Sequence, residues 1–195
     1  MYEEKKFSIP ELEGISKELV DAHLGLYGGY VKNTNALLTL VENLRVDAAT
    51  HGTAIAEAVR RFAFEFDGMR MHEYYFEQWE NKAETLASTD TLAQALAAQF
   101  GSFEAWEAQF RTVGMMRGVG WAVLYFDPEQ KKFINAWVGE HMDGHLVSLP
   151  VICALDVWEH AYLAQFGTGG RATYIDAFFK NLNWSVMAKR FASLS

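Results

Sequence analysis

Apolar residues recur at helical spacing through the first quarter of the chain: Leu19, Val20, Leu24, Tyr27, Tyr30 and Val31, then Leu37, Leu38, Leu40, Val41 and Leu44. His23 falls in the same series. Recurrence every three to four residues marks one face of a helix, so a helical segment is predicted over residues 13–49. Gly28-Gly29 interrupts it, at about 1 kcal/mol per Gly relative to Ala. A second helical stretch is predicted over 52–80, and two short helices over 91–100 and 103–116, the latter with Ser102 as N-cap.

The pattern changes after Gly118. Trp121–Phe126 reads as a strand, Asp127–Gln130 as a turn and Phe133–Val138 as the returning strand of a hairpin. Val151–Leu155 is a third, fully apolar strand. Helical patterning resumes near Trp158 and again over 171–190. A helical half thus precedes an α+β half with a small antiparallel sheet.

The 195 residues are half hydrophobic, so a packed core is expected and disorder is not. The first residues, Met1-Tyr2-Glu3-Glu4-Lys5-Lys6, carry charge with no long apolar stretch behind them, and no run approaches a membrane span. A cytoplasmic protein is expected. The formal net charge of −8 argues against nucleic acid as a partner, and an anionic substrate would need local steering. The single Cys153, inside an apolar run, is expected to be a buried, inert thiol.

The chemistry lies with the six His residues, at 23, 51, 72, 141, 145 and 160. Taken singly, a His in apolar surroundings is most often a satisfied core residue. In combination, Asp156 and His160 stand four apart directly after a buried strand, and in a helical turn they would project from one side. An Asp N-cap followed by a helix with a buried His is the competing reading. His72 sits among Met69, Met71, Tyr74, Tyr75 and Phe76, where a neutral imidazole needs a partner. Three His and one Asp suit Fe, Mn or Zn better than Ca or Mg. Paired Glu-x-x-His motifs of a di-iron bundle are missing. A hydrolase with one metal ion, or a catalytically silent binding protein, remains open on these grounds.

The segment DVWEHAY, Asp156–Tyr162, resembles the most diagnostic stretch of the iron/manganese superoxide dismutases. The resemblance extends over roughly residues 7–190: Tyr30–Asn35 is similar to the family's YVxNxN segment, Met71–Tyr75 to the one holding its second His ligand, Gly118–Trp121 to its GxGW strand entry, and Arg171–Tyr174 and Asn183-Trp184 to its closing helices. It implies an α+β fold: an N-terminal helical-hairpin domain, 1–90, then a domain over 91–195 with a three-stranded antiparallel sheet, and the metal between them. One Fe or Mn ion per subunit, its identity undecided, would be held by His23, His72, Asp156 and His160. The implied reaction has two halves. One superoxide is oxidised to O₂ as the metal is reduced; a second becomes H₂O₂, with two protons, as the metal is reoxidised.

The resemblance also implies roles around the ion. Tyr30 would relay protons and guard the entrance, and Trp121 and Trp158 would line the pocket. Many members place a Gln near the metal-bound solvent, from one of two positions. One of these is Gly68 here; the other falls at Gly139–Met142, where part of the family uses a His, so His141 takes that role. Glu159 would reach the ligand His of a partner in a homodimer, or in a tetramer built from such dimers. The chain departs from the family at Tyr27, where a His is common, at Leu163, where a Tyr is usual, and in the His23–Tyr30 spacing, one residue short. Seven residues turn an α-helix by about 700°, some 20° short of two full turns. An ordinary helix without an i→i+5 bulge is therefore predicted over His23–Asn33, with both side chains facing the ion. His51 and His145 receive no role.

Overall fold

A computed structural model describes residues 1–194. The first apolar series becomes α1, Lys17–Leu44, started by Ser16, whose hydroxyl accepts the Leu19 N–H. A single 3-10 turn at Arg45–Asp47 reverses the chain, and Asp47 caps α2, Ala48–Glu77. The two long helices pack as an antiparallel hairpin. Their facing stripes bury Leu19, His23, Tyr27, Val31 and Thr34 from α1, and Met69, His72 and Phe76 from α2. α1 runs as unbroken α-helix through Gly28-Gly29, with no π-turn between His23 and Asn33.

Beyond the hairpin lie α3, Thr91–Phe100, and α4, Phe103–Gly114, with Ser102 capping the latter as the sequence predicts. The sheet follows: β1, Gly120–Asp127; β2, Lys132–Gly139; and β3, Val151–Asp156. β1 is central and antiparallel to both neighbours. Its register sets Trp121 between Val138 and Asp156. Asp127 closes the β1–β2 turn by accepting the Glu129 and Gln130 N–H groups. β1 and β3 are apolar up to their closing Asp127 and Asp156, and buried, because α4 lies against β1, and α2 and α7 against β3. Cys153 is fully buried in β3, as expected, and burial pushes its thiol up to about 12.

β3 is an edge strand whose open side needs hydrogen-bond partners. Gln78, just past α2, supplies them: its Nε2 donates to the Ala154 carbonyl (2.7 Å) and its Oε1 accepts the Ala154 N–H (2.8 Å). One amide thus stands in for a neighbouring strand and ties the helical hairpin to the sheet.

The last third holds α5, Glu159–Phe166; α6, Arg171–Lys180; and α7, Trp184–Ala192. The helical patterning over 171–190 resolves into two helices, as the resemblance to the family's closing helices implies. The break comes at Asn183, whose N–H donates to the Gln78 carbonyl (2.8 Å) and whose side chain caps α7 by accepting the Ser185 N–H. One correction concerns Asp156 and His160, which do not share a helical turn: Asp156 ends β3, and His160 lies in the first turn of α5. The Trp158 N–H donates to Asp156 Oδ1 (2.8 Å), and this turn brings both side chains to one side.

Candidate metal centre

Four elements meet where the hairpin crosses the end of the sheet. α1 contributes His23, α2 His72, β3 Asp156 and α5 His160, and one donor atom from each lies within 4.8 Å of all the others. The three imidazole Nε2 atoms converge on Asp156 Oδ2, at 3.1 Å from His23, 3.6 Å from His72 and 3.2 Å from His160.

Hydrogen bonding fixes the lone pair of His72. Its Nδ1 lies 2.6 Å from the Gly68 carbonyl, which can only accept, so Nδ1 carries the proton. Nε2 is then a bare acceptor, fully buried and without a hydrogen-bond partner. Such orphaned groups are rare in folded proteins and call for an explanation; a cation among these four donors provides it. Burial lowers the pKa of His23 and, further, that of His72, which keeps the imidazoles neutral. Burial works against ionisation of Asp156, but the His160 and His23 imidazoles outweigh it and hold the carboxyl well below its ordinary range. Two neutral imidazoles, those of His23 and His72, and one carboxylate are in the protonation states a transition-metal ion requires.

Around the four donors lies an aromatic wall. Trp121 donates its indole N–H to His141 Nδ1 (3.1 Å), and His141 Nε2 lies 2.6 Å from the Tyr30 hydroxyl. The Trp158 ring stacks on His141 with centroids 4.7 Å apart, and its indole N–H donates to the Glu140 carbonyl. Tyr30 and His72 rings lie 5.0 Å apart, so Tyr30 faces the donors from the same helix that carries His23. Burial, reinforced by the Asp156 charge, raises the Tyr30 pKa well above that of a free phenol. His141, buried beneath this wall, has its pKa lowered to about 4, burial being the main cause.

Gly68 explains how Tyr30 fits. A Cβ there would lie 2.7 Å from Tyr30 Cδ1, so the phenol ring rests on bare helix backbone. Tyr27, by contrast, turns from the donors. Its hydroxyl accepts the Lys5 N–H (2.9 Å) and donates to Glu73 (3.3 Å), fastening the N-terminal segment onto the hairpin. Glu159 is solvent-exposed in the single chain, and Leu163 lies one turn beyond it. His51 is exposed on the first turns of α2, away from the centre.

Phe64 was not singled out by the sequence. Its ring lies 4.8 Å from that of His141 and 6.1 Å from that of Tyr30, with the Arg61 guanidinium stacked 3.8 Å above it. The available signal was its place about two helical turns before His72.

Comparison with known proteins agrees with this geometry. Residues 88–190 match the family model described as iron/manganese superoxide dismutases, C-terminal domain. The chain is 32% identical to an iron superoxide dismutase of Saccharolobus solfataricus, over 95% of this chain and 93% of that protein. It is 32% identical to an iron superoxide dismutase of Cupriavidus metallidurans, over 94% and 91%. It is 34% identical to a manganese superoxide dismutase of Haloferax mediterranei, over 76% of this chain and 100% of that protein.

Proposed function

The chain belongs to the iron/manganese superoxide dismutase family, and on that premise we propose how its residues divide the work. It is an oxidoreductase that converts superoxide to O₂ and H₂O₂ with one bound iron or manganese ion. The observation that carries the assignment is the convergence of three Nε2 atoms on Asp156 Oδ2, with His72 Nε2 unpartnered.

His23, His72, Asp156 and His160 hold the ion, which supplies the one-electron oxidation and reduction that each half of the cycle needs. The remaining residues govern protons and access. Trp121 donates to His141 Nδ1, so the ring proton of His141 resides on Nε2 and is given to the Tyr30 oxygen. The Tyr30 O–H is thereby left to donate toward the substrate, and its raised pKa keeps that proton in place across the physiological range. Trp121, Trp158 and Phe64 exclude bulk water, which strengthens these hydrogen bonds.

We divide the chain into a helical-hairpin domain, 1–90, and a sheet domain, 91–195, with the ion joining them. The working unit is a homodimer in which Glu159 reaches His160 of the partner subunit. Two observations support this: His160 Nδ1 makes no hydrogen bond within the described residues, and Glu159 is exposed beside it. A ligand imidazole commonly donates its outer N–H to a carboxylate. Among the described residues no helix is long and apolar enough to cross a membrane, and the reading includes a cytoplasmic location.

The deciding experiment strips the metal by chelation and reloads the protein separately with iron and with manganese. Metal content near one ion per subunit, with superoxide dismutation restored by at least one of the two, is the expected result. Stoichiometric reloading without dismutation by either would overturn the function. Comparing the two loaded forms identifies the working metal.

A further inference from the structure

His141 is carried by Glu140–Pro150, an eleven-residue connection between β2 and β3 with no helix or strand of its own. The backbone enters it unfavourably: Glu140, immediately before His141, has φ of 49°, a left-handed conformation that costs a non-glycine residue. A side chain needed at an exact place is thus mounted on irregular backbone, and something outside the loop must hold it.

Two contacts to β1 do so in parallel. Trp121 donates to His141 Nδ1 at 3.1 Å, and Tyr125 hydrogen-bonds His145 Nδ1 at 2.7 Å. Trp121 and Tyr125 are four residues apart on one strand and therefore project from one face of the sheet. His141 and His145 are likewise four apart on the loop. The second contact returns to the first, because His145 Nε2 lies 2.8 Å from the His141 carbonyl oxygen. A carbonyl only accepts, so His145 Nε2 carries the proton and Nδ1 accepts the Tyr125 O–H. Tyr125 is almost fully buried in the central strand, a rigid place from which to hold the loop.

We propose that His145, held by Tyr125, is a positioning residue for His141. Trp121 fixes the His141 ring, and the Tyr125–His145 pair fixes its backbone, so the donor to Tyr30 cannot drift. The inference rests on the proposed role of His141 and deepens it.

The test compares metal-loaded His145→Ala, His145→Gln, Tyr125→Phe and His141→Ala proteins with the parent. A Gln amide can donate to the His141 carbonyl and accept from Tyr125, so it is the rescuing variant; Tyr125→Phe removes one hydroxyl without opening a cavity. Three readouts are taken: hydrogen–deuterium exchange of peptides covering 140–150, affinity for azide as an anionic probe read from visible absorption, and kcat/KM. His145→Ala is expected to speed loop exchange and to shift azide affinity and kcat/KM at least fivefold, with Tyr125→Phe moving in the same direction and His145→Gln returning within twofold of the parent. In a His141→Ala background, His145→Ala should change azide affinity and kcat/KM less than twofold. Unchanged loop exchange in both His145→Ala and Tyr125→Phe, or an undiminished His145 effect when His141 is already Ala, would overturn the proposal. If His141→Ala alone leaves azide affinity and rate unchanged, the role of His141 fails, while faster loop exchange in His145→Ala still supports the mount.

Discussion

The Nε2 atom of His141 lies 2.6 Å from the hydroxyl of Tyr30, joining the β2–β3 connection to the first helix across 111 residues of sequence. The indole N–H of Trp121 sets the direction of this bond, since it occupies His141 Nδ1 and leaves the ring proton on Nε2. Tyr30 therefore accepts from His141 and keeps its own proton for donation. Replacing His141 by Ala should leave metal content near the parent value and lower kcat by about 10²-fold, the low end for loss of a positioned proton donor. Tyr30→Phe, which removes the donating hydroxyl itself, should also keep its metal and lose at least as much activity. Parallel metal analysis and stopped-flow rates check both; a fully active His141→Ala protein would remove His141 from the proton path.

Asp156 has a different standing, because three imidazoles converge on one of its oxygens. Asp156→Ala or His160→Ala is expected to cost more metal affinity than the roughly 10–100-fold typical of losing an outer hydrogen bond, and to abolish dismutation. Metal content by elemental analysis is the measurement. Either variant holding a stoichiometric ion with full activity would end the ligand assignment.

Much of the candidate centre was legible in the sequence because His23 and His72 stand inside apolar patterns and because Asp156 and His160 lie in the segment that carries the family resemblance. What stayed hidden depends on contacts that no local pattern encodes. The four-residue interval from Asp156 to His160 suggested a helical turn, but the same interval fits a strand end followed by a helix start, and strand pairing with Trp121 decides between them. The contact made at the break before α7, from the Asn183 N–H to the Gln78 carbonyl more than 100 residues away, has no local signal. Tyr27 reads only as a departure from the family on the first helix, yet its hydroxyl accepts a backbone N–H of the N-terminal segment, where no periodicity points. The unbroken helix through Gly28-Gly29 was legible, since rotation per residue is geometry alone.

Acid should destabilise the metal-stripped protein through its buried imidazoles. Burial lowers the pKa values of His23, His72 and His141, the last to about 4. Once unfolded, each would protonate near about 6.5. Below that pH the unfolded chain binds more protons than the folded one, so stability present at neutral pH is lost as pH falls from about 6.5 toward about 4. For His141 the contribution is on the order of a few kcal/mol. Denaturant midpoints measured across that window should fall steeply for the parent and less steeply for His141→Gln. Equal slopes for the two proteins would contradict the assigned burial of a neutral His141.

Gly68 offers the sharpest test of how the first helix and the centre fit together. A glycine within a helix ordinarily costs about 1 kcal/mol relative to Ala, so Gly68→Ala would be expected to stabilise α2. The tertiary structure argues the reverse. The added Cβ would stand 2.7 Å from Tyr30 Cδ1 and 2.9 Å from Cε1, closer than such contacts occur, and the obstacle is a ring rather than a flexible chain end. The ring is also fixed at its far end by the His141 bond, so it cannot yield without breaking that contact. Gly68 further supplies the carbonyl that orients His72, and a helix shift to relieve the clash would disturb one of the proposed metal ligands. Gly68→Ala is therefore expected to keep its metal, gain no stability, and lose activity to about the level of Tyr30→Phe, with Tyr30 displaced from His141. Pairing it with Tyr30→Ala, which clears the space, should restore the ordinary gain of about 1 kcal/mol from Gly to Ala while leaving activity low. Thermal melts and rates of the two single variants and the double variant decide the matter. A Gly68→Ala protein that is both more stable and fully active would show that Tyr30 does not depend on resting against this glycine.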